Sequence, residues 1–439
     1  MDSLSEIAER VLHVLHQVGG VGTSTELQTR LGLSQPTVSR ALSALVKQGR
    51  LLKVGAARSQ QYLLPRHIEG VGSQIGIVRI DTQGRVSPFA RMVALPGGRF
   101  WVNEADGLTQ LHDGLPWFLD DMRPQGFMGQ TFVQNHPELS LPADLRHWND
   151  DHALKAMVLA GDDLPGNLIV GEQALASYLS GVRQTAVVQQ PEVDYPRLAM
   201  LAMQGAQPGS SAGGEQPKFS ALVNGQAMLV KFSPSGDAPG DERSRDLLVC
   251  EHLALQTLAA AGLPAAESQI VIAGGRVFLQ SKRFDRTDKG RIGMVSLLVY
   301  DAQYVGEMDN WSATAQRMAA RQLMTSQDAQ QLQLLEAYGL LIANTDRHYG
   351  NISFLLQDDD WRLSPTYDML PMLYAPVKGE LVERDFASRK LQPTSHTLAV
   401  WPQAKQLAQQ FWHSVAADAR VSDAFKALAQ ANADVVAKL

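Results

Sequence analysis

The chain has 439 residues, 45% hydrophobic and 19% charged, which supplies large buried cores and excludes a chain disordered throughout. Its 39 Lys and Arg stand against 45 Asp and Glu, a formal charge of −6, and a single cysteine, Cys250, excludes an intramolecular disulfide framework and a cysteine-rich zinc site. No apolar run approaches the ~18 residues a membrane span needs. The start Met1-Asp2-Ser3-Leu4-Ser5-Glu6 is no signal peptide, so a soluble, cytoplasmic protein with no membrane partner is expected.

The charge is unevenly spread. Residues 1–66 hold eight Lys and Arg against four acids, +4, which leaves 31 basic and 41 acidic residues, −10, in the rest. A basic head on an acidic body is the electrostatic outline of a nucleic-acid module fused to something else. Ile7, Val11, Leu12 and Leu15 recur at helical spacing and stop at Gly19-Gly20. Thr23 to Glu26 caps a second helix carrying Leu27 and Leu31, ended by Gly32. Ser34, as N-cap, opens a third with Pro36 in its first turn, running to about Gln48. Val38, Leu42 and Leu45 form its buried stripe. Two strands, Leu51–Val54 and Gln61–Leu64, make a wing whose tip contains Arg58.

That order is helix-turn-helix geometry, and the stretch resembles winged helix-turn-helix regulators of the MarR-like sort. DNA is the expected partner through residues 1–68. Ser34, Gln35, Thr37, Ser39, Arg40, Ser43 and Lys47 would face the groove and Arg58 the backbone. A small helical oligomerisation module is the alternative.

Residues 69–190 read as mixed short elements: strands at Ile75–Ile80 and Phe100–Val102, and a helix at Leu115–Met122. No charge cluster there suggests chemistry. Beyond about Trp401 the chain is helical, with Val415, Ala424 and Leu428 as packing residues.

Four pieces between residues 205 and 370 make chemical sense together. Gly209 to Lys218 is a glycine-rich loop leading into the strand Phe219–Val223, an Asn224-Gly225 hairpin turn and a second strand ending Val230-Lys231-Phe232. Such a loop brings backbone N–H groups close to phosphate oxygens. Lys231 follows apolar neighbours and needs an anionic partner, either a phosphate or a carboxylate such as Glu251 on the next helix, about Glu242 to Ala261. Asn344 to Ser353 follows an apolar helix, Leu334–Ile342, and spaces Asp346 and Asn351 as a phosphoryl-transfer loop spaces its base and its metal-binding amide. A hairpin, Ile352–Leu356 and Trp361–Leu363, then returns Asp368 beside Asn351, two hard oxygen ligands suited to Mg²⁺ on phosphates. The acidic turn Asp358–Asp360 reads as a solvated hairpin tip.

These motifs resemble those of HipA-family serine/threonine kinases, the toxin class of bacterial toxin–antitoxin systems. The likeness runs from about residue 71 to the C-terminus. It is strongest in Gly214-Glu215-Gln216-Pro217-Lys218, Leu229 to Phe232, Arg283-Phe284-Asp285-Arg286, Asn344 to Ser353 and Pro365 to Asp368. The resemblance implies an α+β, bilobal protein-kinase-like fold behind the winged head. Its parts would be the head at 1–68, a HipA-like N-terminal subdomain at 69–190, a kinase N-lobe at 191–290 and a helical C-lobe at 291–439.

It also implies ATP and Mg²⁺ as cofactors and Asp346 as catalytic base. Lys231 would hold the α/β-phosphates with Glu251 as its ion-pair partner, and Gly213, Gly214, Glu215, Gln216, Pro217 and Lys218 would cover the phosphates. Lys282, Arg283 and Phe284 would bond the adenine through backbone groups. His348, Tyr349, Gly350, Asn351, Tyr367 and Asp368 would complete the nucleotide site, with Asn351 and Asp368 as metal ligands. Ser211 falls where the family has an autophosphorylated serine that expels the phosphate loop, and a phosphate there would repel those of ATP. Gly350 replaces the family's frequent Lys before the loop Asn, and Lys282 replaces an acid. The family reading gives a protein substrate in the translation apparatus, such as an aminoacyl-tRNA synthetase. Two other readings stay open: a DNA-binding regulator with a nucleotide-sensing, non-catalytic body, and, behind it, a metal-dependent nuclease. A homodimer reading two half-sites is compatible with the head.

Overall fold

The computed structural model describes residues 4–56, 59–181, 185–204 and 216–439. The head contains α1 (Leu4–Gln17), β1 (Val21–Gly22), α2 (Ser24–Leu31), α3 (Gln35–Lys47), β2 (Leu52–Val54) and β3 (Gln61–Leu63). Val11, Leu15, Leu27, Val38, Leu42 and Leu45 close its core. Thr23 and Glu26 form a reciprocal capping box at α2, and Gly32 ends that helix in left-handed conformation (φ 66°), which a side chain would oppose. Ser34 stands at the N-cap of α3, but its hydroxyl meets that of Thr37 at 2.9 Å rather than capping a backbone N–H. The wing has three strands, in the order β1-β3-β2. A two-residue strand such as β1 carries too little pattern to be legible in advance.

Next come β4 (Gln74–Ile80), β5 (Val86–Leu95), β6 (Arg99–Glu104), β7 (Thr109–Asp113), α4 (Gly126–Asn135), α5 (Asp150–Ala160), β8 (Leu168–Val170) and α6 (Glu172–Ser180). The strands form one antiparallel sheet, β7-β6-β5-β4-β8, over a core of Ile75, Met92, Phe100, Leu154 and Met157. The helix expected at Leu115–Met122 is a 3₁₀ segment, Trp117–Met122, for which Pro116 (φ −55°, ψ 138°) is the N-cap, so the segment starts two residues later than expected. The head is seated on this sheet. Leu63, Val93 and Leu95 share a small core with Val21 and Trp101, Arg66 forks onto Asp151, and the Arg66 N–H donates to the Ala94 carbonyl.

The third unit contains β9 (Ala186–Val188), α7 (Pro191–Gln204), β10 (Lys218–Val223), β11 (Gln226–Phe232), α8 (Pro239–Ala260), β12 (Ser268–Ala273) and β13 (Arg276–Lys282). Its sheet runs β12-β13-β11-β10-β9, antiparallel apart from β9. Asn224 and Gly225, both at positive φ, make the two-residue turn joining β10 to β11. The helical remainder holds β14 (Met294–Ser296), α9 (Leu297–Tyr304), α10 (Trp311–Ala320), α11 (Ser326–Leu341), β15 (Ser353–Gln357), β16 (Asp360–Leu363), α12 (Trp401–Ala417) and α13 (Asp423–Ala437). One large core joins α8 and β13 to α10–α13, through residues such as Leu255, Leu279, Tyr338, Phe411 and Trp412. Val415 is buried in it and Leu428 packs against it, whereas Ala424 is exposed. The buried stripe of α13 is Phe425, Ala429, Ala433 and Val436. Among the described residues no helix is long and apolar enough to cross a membrane.

Candidate functional site

Charged residues collect where the two C-terminal units meet, at the Lys231–Asp368 contact. On β11, Met228, Val230 and Phe232 enter one core, so alternation turns Ala227, Leu229 and Lys231 to the other face. Lys231 Nζ there donates to both Glu251 oxygens, at 2.7 and 2.8 Å, and to Asp368 Oδ1. Glu251 reaches it from the middle of α8 and is buried. Burial opposes all three charges. The Lys231 ammonium is nevertheless held well above its ordinary value by Asp368 and Glu251. Burial also works against the Asp368 carboxylate, which Lys231 and then Lys218 keep below the usual range. Glu251 is pushed up by its burial, with Asp368 adding. Lys218 stands opposite Lys231 across the β10–β11 ladder. Gln216 Nε2 donates to the Phe232 carbonyl at 2.5 Å and the Pro217 carbonyl accepts the Phe232 N–H, which fixes this end of the loop to β11. Ser211, Gly213, Gly214 and Glu215, like Arg58 in the wing, lie outside the described residues.

The facing wall is built by two loops. Helix α11 ends in a left-handed Ala343 (φ 61°), a strained conformation for a side-chain-bearing residue, and the chain turns into Asn344–Asn351. The Asn344 carboxamide oxygen accepts the Asp346 N–H at 2.9 Å, leaving the Asp346 carboxylate exposed, with His348 Nε2 3.8 Å away. Asn351 donates through Nδ2 to the Asp346 carbonyl at 2.9 Å, so its Oδ1 is the atom left for a cation. Asp368 adopts left-handed backbone (φ 52°) after Tyr367, whose hydroxyl bonds Ser353 and donates to the Gly350 carbonyl. The Tyr367 ring lies 5.6 Å from that of Phe284, so Tyr367 ties the hinge to both loops.

One expectation needs correction and a second is narrowed. Tyr349 is buried, and its hydroxyl accepts the Asp309 N–H and bonds Thr314, so it faces the helical core and not a nucleotide. The N–H groups of Lys282 and Arg283 donate to the carbonyls of Glu267 and Ala227, so any adenine contact by this stretch must use other backbone atoms. The Arg283 side chain turns away into an ionic knot, in which Arg283 and Arg286 both grip Asp163 and Asp285, and Asp285 accepts the Gly166 N–H. Burial works against the Asp285 charge, but the two guanidiniums hold it far below the usual carboxylate range. Asp163 was not legible as a site residue, since its partners lie about 120 positions away. Asp285→Ala would leave two buried guanidiniums sharing Asp163 alone, and a cost of up to about 3–5 kcal/mol in chemical denaturation is expected. In the wild type the Asp285 contribution is present above the unfolded carboxyl value and is lost as pH falls through the lower native one.

On the head, Ser34, Gln35, Arg40, Ser43 and Lys47 are exposed and Thr37 and Ser39 half-buried along one side of α3. Arg50 is paired with Glu9 and Arg66 with Asp151, so those two cations are already engaged, while Arg40 and Lys47 form no ion pair among the described residues.

The fold and the site's residues now stand beside known proteins. The family model described as the HipA-like C-terminal domain matches residues 210–437, that of the YjjJ-like toxin middle domain residues 71–179, and that of the IclR helix-turn-helix domain residues 4–54. The head is therefore a helix-turn-helix domain, as expected, and the model it matches is the IclR one. Toxin YjjJ of Escherichia coli (strain K12) is 35% identical over 436 residues, covering 97% of this chain and 96% of its own. The HipA structure from Shewanella oneidensis MR-1, solved with HipB and operator DNA, superposes with a TM-score of 0.50 at 15% identity over 82% of this chain and 94% of its own. The chain belongs to the HipA-like toxin family. Within it, the chain is of the YjjJ-like form that carries its own helix-turn-helix head, and the fold is bilobal and kinase-like behind that head.

Proposed function

We propose that the protein is a Mg-ATP-dependent serine/threonine protein kinase tethered to DNA by its own head. The observation that carries this is Lys231 bonded to Glu251 and across to Asp368, whose neighbour Tyr367 ties that segment to the loop carrying the exposed Asp346 and the buried Asn351. Among the described residues no group of three or more His, Cys, Asp or Glu is placed to hold a metal. One carboxylate and one amide suit magnesium, which takes its remaining ligands from phosphate oxygens and water. Asp368, kept ionised by Lys231 and Lys218, and Asn351 would hold it. When bound it neutralises charge on the transferring phosphoryl group.

Lys231 and Lys218 are the cations that meet the nucleotide phosphates. Asp346 accepts the proton of a substrate Ser or Thr hydroxyl and aims that oxygen at the γ-phosphorus. Its exposure lets a protein chain reach it, and its backbone is fixed by Asn344. Most of the rate comes from positioning and charge neutralisation. The test is incubation with γ-labelled ATP and magnesium, wild type beside Asp346→Asn and Asp368→Asn. Label on the protein itself or an added substrate in the wild type alone supports the reading, and equal label in all three overturns it. Ser211 is the proposed self-modified residue.

For the head, α3 is proposed to enter the major groove, with the wing on the backbone. Arg40→Ala and Lys47→Ala should each weaken binding to DNA and lower the salt slope of log K by about one. Fluorescence anisotropy at several salt concentrations reads both effects.

A further inference from the structure

Arg347 lies between the proposed base and His348, yet it points away from the cleft. Its Nε donates to Glu336 Oε1 at 3.0 Å, and a terminal nitrogen donates to the Asn344 carbonyl. The second Glu336 oxygen accepts the Trp311 N–H at 3.1 Å, and the Trp311 indole N–H donates to the His348 carbonyl at 3.2 Å. One carboxylate on α11 therefore holds the loop directly at Arg347 and, through Trp311, at His348. Gly339, one turn beyond Glu336, completes the seat. A Cβ there would lie 2.8 Å from Arg347 Cδ and 3.5 Å from the sulfur of Met369, so only glycine leaves room for the arginine stem. Met369 follows Asp368 and receives the Asn344 amide at 3.6 Å, so the same seat touches the second loop.

We infer that Glu336 and Gly339 form a socket for Arg347 that sets the position of Asp346, which makes both positioning residues for the proposed phosphoryl transfer. The inference rests on the kinase reading for its activity test but not for its structural one. The socket is built around the segment that bends away from α11 at left-handed Ala343, where the backbone alone gives no register. Neither residue meets a nucleotide or a substrate, so their loss should move turnover and leave ATP binding alone.

Gly339→Ala is the sharpest probe, because alanine is the better helix former and the substitution burdens only the socket. In the full-length protein, kcat for γ-phosphate release or transfer should fall on the order of tenfold to a hundredfold. KM for ATP should stay within about twofold, since uniform binding is untouched, and any fall in Tm should be small, because the helix-forming gain of alanine offsets part of the crowding. Glu336→Gln, which keeps one acceptor, should retain more activity than Glu336→Ala. Hydrogen–deuterium exchange of Gly339→Ala should be faster in residues 344–351 than in the wild type. Wild-type kcat in Gly339→Ala, or a Tm loss with Gln no better than Ala at 336, would overturn the socket. If the wild type transfers no phosphate, the kinase reading fails by itself and exchange decides: acceleration supports the socket, unchanged exchange overturns it.

Discussion

Asp346→Asn is expected to lower phosphoryl transfer by about 10²–10⁴-fold, the usual worth of a general base, while ATP binding measured by calorimetry stays near wild type. Asparagine has the same shape and can keep the backbone bond from Asp346 N–H to Asn344 and the bond from Asn351 to the residue's carbonyl. What it removes is the acceptor for the hydroxyl proton. The carboxylate is exposed, with the His348 ring 3.8 Å away, so the substitution leaves no buried charge stranded. A loss of activity with unchanged Tm and unchanged ATP affinity therefore reports chemistry. A loss of affinity in step with activity would instead make Asp346 a binding residue.

Lys231→Met should have the largest effect on both stability and nucleotide binding. Methionine fills the volume of the lysine stem but leaves Glu251 and Asp368 facing each other without the cation that both now touch. Breaking a buried ion pair by removing one partner costs about 3–5 kcal/mol, read from urea or guanidinium unfolding. The pH dependence has a defined sign. Without Lys231 the two native carboxyls rise above their unfolded values, so the native state binds more protons and stability falls as pH rises through that window. The deficit therefore opens above the unfolded value of ~4.3 and shrinks on acidification. In the wild type, the Asp368 contribution is present above the unfolded value and is lost as pH falls through its lowered native one. An added Glu251→Gln substitution should recover part of the loss at neutral pH, because it removes one stranded charge.

Much of this architecture was legible because local chemistry dictates it. Thr23 to Glu26, Gly32 and the Asn224-Gly225 turn each permit few backbones, and the structure adopts those. The cost of burying an ammonium called for an anionic partner of Lys231, a phosphate or a helical carboxylate, and the structure supplies Glu251. What escaped was non-local. Nothing near Asp163 announces Arg283 and Arg286, and nothing near Glu336 announces Arg347 or the Trp311 N–H. Tyr349 was misread for a related reason, since a tyrosine inside a polar loop gives no sign that Asp309 and Thr314 await its hydroxyl in the core. The charge split between head and body was visible at once, but which cations are already spent was not. The Arg50–Glu9 and Arg66–Asp151 pairs reduce the head's available charge and, in the second case, anchor it to the neighbouring sheet.

The central claim is that one cleft holds Mg-ATP between Lys231 and the Asn351–Asp368 pair, in reach of Asp346. A crystal structure with magnesium and a non-hydrolysable ATP analogue tests it most directly. The expected result is a metal ligated by Asn351 Oδ1 and an Asp368 oxygen, Lys231 on the α/β-phosphates, and the γ-phosphate facing Asp346. A nucleotide bound elsewhere, or Asn351 and Asp368 on different sides of the cleft with no metal between them, would contradict it.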